Sequence, residues 1–125
     1  MTDANVDAAM AIADEFLATF NALDAAGHAA TLAYPHVRLA SGTVRIWQTI
    51  EEATAQMETN MGLLRDRVGW DHKRLIHAGD KKVHLDVQFT RYRADESVIG
   101  VYPAVYVVVE TDGGWRIQAR SSYAP

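Results

Sequence analysis

The sequence has no cysteine among its 125 residues. That absence removes disulfides, thiolate zinc sites and a thiol nucleophile, and it suits a reducing, cytoplasmic setting. Long hydrophobic runs are missing too. The most apolar stretch, Val98 to Val109, is too short for a membrane span and is interrupted by Pro103. The opening "MTDANVDAAM" lacks the basic n-region of a secretory signal. No linker, internal repeat or low-complexity block divides the chain. Nor is there a catalytic-triad order, a glycine-rich phosphate loop or a paired-carboxylate motif.

What is present is ordinary for a globular protein: 49% hydrophobic, 22% charged, net charge −4. One domain spanning 1–125 is long enough to bury a core without staples. Charge is uneven, with acids concentrated in the first sixty residues and bases between 65 and 93. Solvated strand faces account for the basic segment, so no nucleic-acid partner is expected.

Helical spacing comes first. Val6, Met10, Ala13, Phe16, Leu17, Phe20 and Leu23 form one apolar stripe over residues 4–24. Asp24 can cap a short second helix, "AAGHAATLA", closed off by Pro35. Thr49 and Glu52 read as a capping box for a third helix, with Ile50, Ala53, Met57, Met61, Leu64 and Val68 in register and Gly69 ending it. Strand patterns make up the rest: 36–40 and 43–47 around a Ser41-Gly42 hairpin, then 70–77, 83–93, 98–110 and 115–123. Segregated helices and strands predict an α+β domain: a cone-shaped, strongly curved antiparallel sheet of about six strands, with three helices packed in its concave face. Pro103 inside a strand calls for an edge, a bend or a bulge.

The segments "FLATFNALDAAGHAATLAYPHVRLASG" and "DGGWRIQARSSY" resemble the nuclear transport factor 2-like superfamily, which includes ketosteroid isomerase and the SnoaL-like polyketide cyclases. "YPHVR", "FTRYR" and "IQARSS" resemble an uncharacterised bacterial branch of it. The resemblance implies a cavity between sheet and helices, and a homodimer packed through the sheet face. Ketosteroid isomerases use a carboxylate base and an oxyanion hole of a tyrosine and a protonated aspartate. Those positions fall here on Ala40, Phe16 and about Tyr106. Phenylalanine donates nothing and alanine accepts nothing, so that chemistry is not expected.

Other residues remain candidates. His36, Arg38 and Ala40 share one strand face, and His36 is a candidate general base if that face lines the cavity. Simple alternation favours the opposite arrangement, with Val37 and Leu39 against the core and His36 and Arg38 at the rim. Trp70 and His72 share a face and can line a pocket together, although a core Trp70 with a solvated His72 is favoured. "HAGDKKVH" holds His77, His84 and nearby acids but matches no ligand pattern, so no metal is assigned. Tyr102 and Tyr106 share one face of a strand apolar on both sides, the other side being the expected dimer face. Arg120 can bind a carboxylate or enolate oxygen if it points inward, although an outward surface or interface position is favoured. The candidate catalytic residues are therefore His36, His72 and Tyr106. The candidate ligand-binding residues are Phe16, Phe20, Arg38, Trp47, Trp70, Tyr102 and Arg120. No cofactor is implied. The function is then a pocket for a small hydrophobic molecule, with cofactor-free isomerase, cyclase or dehydratase chemistry, or else a non-catalytic binding or dimeric interaction module.

Overall fold

The computed structural model describes residues 2–61 and 66–125. Its elements run α1 (Thr2–Asn21), α2 (Ala25–Ala29), β1 (Leu32–Ala40), β2 (Thr43–Trp47), α3 (Ile50–Met61), β3 (Arg67–Ala78), β4 (Lys82–Tyr92), β5 (Val98–Thr111) and β6 (Gly114–Ser122). The strands form one sheet in the order β2-β1-β6-β5-β4-β3. Neighbours are antiparallel except β1 and β6, which run parallel; the expected sheet was antiparallel throughout. Among the described residues no helix is long and apolar enough to cross a membrane.

α1 lies on the inner face of the sheet through Ala9, Ile12, Ala13 and Phe16, all buried. Beneath it the inner residues of β4, Val83, Leu85 and Val87, are fully enclosed. Burying side chains of this kind contributes about 1.5–3 kcal/mol each. α1 stops at Asn21, earlier than the apolar stripe implies. Leu23 takes a left-handed φ of 56° and stays exposed. Two polar side chains organise this break. Asn21 grips Val68 from both sides, donating from Nδ2 to its carbonyl and accepting its N–H, each at 2.8 Å. Asp24 caps α2 by accepting the Gly27 N–H at 2.9 Å.

At α3, the Glu52 N–H donates to Thr49 Oγ1 at 3.2 Å. The Glu52 carboxylate takes the Gln48 N–H, one residue before the position a capping box would use. Helical spacing predicts α3 onward to Val68 and Gly69, but neither residue is helical. Both belong to β3, where Val68 pairs with Arg91 and Gly69 with Thr90; Leu64 lies outside the described residues. Strand pairing and the Asn21 grip override the local periodicity.

Bulges decide which side chains face inward. β3 pairs Trp70 with Phe89 and then His72 with Gln88, leaving Asp71 as an extra residue. β6 pairs Ile117 with Val108 and then Ala119 with Val107, leaving Gln118 extra. Each insertion shifts the alternation by one, so residues on its two sides exchange faces. Pro103 sits just past Ala104–Ser122, the last β5–β6 pair, where a missing N–H costs least.

Candidate functional site

Between α1, α3 and the inner sheet face lies a cavity of about 610 Å³. Much of its wall is apolar: Phe16, Leu17 and Phe20 of α1, Met57 and Met61 of α3, and Trp47, Trp70 and Phe89 of the sheet. Three arginines interrupt it in a single cross-strand row. Arg45 of β2 stands opposite Arg38 of β1, Arg38 opposite Arg120 of β6, and Arg120 opposite Tyr106 of β5. All four line the cavity, and among the described residues no aspartate or glutamate does.

Arg120 is held from behind. Its Nε–H donates to His36 Nε2 at 3.0 Å, and its guanidinium carbon lies 4.9 Å from the centroid of the Phe16 ring. Burial brings the guanidinium down to about 10, so it is still a cation at neutral pH. Arg38 donates to main-chain oxygens of Ala124 and Pro125 at 3.2 and 3.4 Å. Burial, then the neighbouring Arg45 charge, pulls its pKa down. A fourth arginine on the wall, Arg91, is paired with Asp66 at 3.1 Å.

His36 is fully buried. Its Nδ1 lies 2.9 Å from the Ile117 carbonyl, which can only accept, so Nδ1 carries the proton and Nε2 is left to receive Arg120. Burial first, then the Arg120 charge, holds the imidazole down to about 3. A ring with both nitrogens committed has no lone pair for a substrate. The general-base role expected of His36 therefore gives way to positioning Arg120. The outward placement favoured by alternation is also reversed. His36 and Arg38 face inward, while Leu39 is 46% exposed on the outer face.

His72 is carried out by the Asp71 bulge. It sits on the outer face beside Gln88, 3.4 Å from Asp86, and is not part of the cavity wall, so Trp70 lines the pocket without it. Tyr102 also stays off the wall and packs at the Phe89 ring, centroids 5.7 Å apart. Arg120, for which an outward position was favoured, is turned inward by the Gln118 bulge. Tyr106, Phe16, Phe20, Arg38, Trp47, Trp70 and Arg120 all line the cavity. Burial pushes the Tyr106 hydroxyl up to about 12, so it is a hydrogen-bond donor at neutral pH.

His28 was not singled out by sequence reasoning, since nothing in "AAGHAATLA" marks its direction. It lines the cavity, stacked on Phe16 at 4.1 Å between centroids. Thr19 Oγ1 lies 2.8 and 3.0 Å from the carbonyls of Glu15 and Phe16 and 3.0 Å from His28 Nδ1. The single hydroxyl proton goes to a carbonyl. Thr19 therefore accepts from Nδ1–H, and His28 Nε2 keeps a lone pair. Burial, then the Arg120 charge, holds this ring down to about 3 as well. Among the described residues no three His, Asp or Glu side chains are grouped to hold a metal.

A family model described as NTF2-like protein (DUF6841) matches residues 7–125. Solved structures share the fold at low identity. An NTF2-like protein of unknown function from Pseudomonas putida is 19% identical, with a TM-score of 0.80 over 100% of this chain and 89% of that one. A protein of unknown function with a cystatin-like fold from Nostoc punctiforme is 14% identical, TM-score 0.76, over 93% and 87%. A ketosteroid isomerase-like protein from Erwinia carotovora is 15% identical, TM-score 0.72, over 95% and 96%. No curated protein is similar enough to match the chain.

Proposed function

The chain belongs to the NTF2-like protein family DUF6841, and from that premise we propose that residues 1–125 act as a single domain whose cavity binds a small, mostly apolar molecule. One observation carries this reading: a cavity of about 610 Å³ walled by aromatic and methionine side chains with a few convergent polar groups. Small-molecule sites typically measure about 300–1,000 Å³ and have this mixed character. Trp47 and Trp70 lie on the wall, so binding is read directly from tryptophan fluorescence against a panel of small apolar compounds. Ala40→Trp adds bulk to the cavity wall and is expected to abolish the response while circular dichroism is retained. An unchanged response in that variant would place binding elsewhere.

A second reading, a cofactor-free isomerase, cyclase or dehydratase, is favoured by one pair. Tyr106 can donate to a ligand oxygen, and His28 Nε2 can accept a proton. The His28 ring, held down to about 3, is a weak base, and the sequence resemblance implies Phe16 and Ala40 at the positions of the isomerase tyrosine and carboxylate. Binding is therefore ranked above catalysis. Retained deuterium exchange at carbon next to a bound carbonyl, lost in His28→Phe, would reverse that order.

The outer sheet face supports a homodimer. Val44, Ile46, Leu39 and Val105 are exposed there on three strands, with Leu39 between Val44 and Ser121 in register. Exposed apolar residues gathered on one sheet face in this way favour an association surface. A second copy of the chain is its simplest cover.

A further inference from the structure

We propose that the ligand of this cavity is a carboxylic acid with an apolar body, its carboxylate received by Arg120 in the Arg45–Arg38–Arg120 row. The inference rests on the cavity being a ligand site and goes on to name the chemical class. Its warrant is an imbalance. Like charges directly opposite on adjacent strands destabilise a sheet, and this row sets three side by side. None of the three is paired with an aspartate or glutamate side chain among the described residues; Arg38 reaches only main-chain oxygens of Ala124 and Pro125. The other wall arginine, Arg91, has an acidic partner in Asp66, so the fold does provide acids where it needs them.

The geometry favours a carboxylate over a larger anion. Arg120 spends Nε on His36 and rests against the Phe16 ring, which fixes the guanidinium plane. Its terminal nitrogens, with the Tyr106 hydroxyl beside them, face the cavity and can form a paired contact with two oxygens, the arrangement a planar carboxylate matches. Tyr106, opposite Arg120 in register, adds a neutral donor at the same spot. Phe16 and Trp70 pack at the Tyr106 ring, centroids 5.7 and 6.0 Å away, so the part of the molecule next to the carboxylate is apolar.

The test is isothermal titration of the intact chain with benzoate, 1-naphthoate and octanoate, each against its neutral carboxamide and against 1-naphthyl phosphate. The expected result is at least one acid bound tenfold or more tightly than its amide, with the difference shrinking as salt is raised. Arg120→Gln should erase the preference and leave amide binding in place. Arg120→Lys, which keeps the charge and guards against misfolding of the first variant, should weaken acid binding severalfold. Amides bound as well as acids would overturn the carboxylate assignment and leave the apolar pocket standing. Tighter binding of the phosphate than of any acid would overturn it too. No binding of any probe would overturn both.

Discussion

His36 and Arg120 form a neutral-to-cation hydrogen bond, Nε–H to Nε2 at 3.0 Å, inside the sheet. The histidine is oriented in turn by the Ile117 carbonyl at 2.9 Å. A guanidinium is thus held in one plane with no acidic side chain paired to it among the described residues. His36→Phe keeps a ring of similar shape but leaves a buried carbonyl and a buried N–H unpaired. Each such loss costs about 1–3 kcal/mol. Urea denaturation should show a loss of about 3 kcal/mol, and acid binding should weaken while amide binding does not. A variant as stable as the parent would remove His36 from this role.

Acid sensitivity follows from two buried rings. His28 and His36 are both held down to about 3 from an ordinary 6.5. Below pH 6.5 the unfolded chain gains protons that the folded one refuses. The stability these rings contribute is therefore complete above pH 6.5 and drains away as pH falls toward 3. At pH 5 the loss is about 2 kcal/mol per ring. Denaturation midpoints at pH 7.5 and pH 5 should differ by about 4 kcal/mol in free energy, and less in His28→Phe. A flat profile would mean the rings are not held neutral.

Dimerisation should depend on the outer face. Val105→Glu puts a charge on the β5 side of the exposed patch, at a residue 37% accessible in the isolated chain, and does not touch the cavity. Light scattering is expected to give twice the chain mass for the parent and a folded monomer for the variant. A monomeric parent would end the dimer reading.

The break after α1 can be tested at Asn21. Asn21→Ala removes both bonds to Val68. The site is exposed, so water takes over in part and the expected cost is about 1 kcal/mol. Hydrogen exchange at the Val68 amide should quicken more than at Val87 in β4. Equal quickening at both would make the effect global.

Much of the architecture was legible because it rests on local period and punctuation. The α1 stripe, the Asp24 cap and the Ser41-Gly42 turn, with Gly42 at φ 77°, are short-range features. So is the alternation Val83, Leu85, Val87 that buries β4. The third helix was over-extended because Val68 keeps a helical spacing, and nothing local announces that Asn21, 47 residues away, will pair with it.

The site was less legible for one physical reason. By itself the sequence determined the order of helices and strands, the apolar inner faces, and the presence of Arg38, Arg120, Trp70 and Tyr106 on those strands. Tertiary pairing decided which of them look at one another. An extra residue at Asp71 sent His72 outward beside Gln88, and another at Gln118 brought Arg120 inward opposite Tyr106. Side chains alternate with a period of two, so a single inserted residue inverts everything beyond it. Whether a strand carries that insertion is set by its neighbour's register, which no local pattern records.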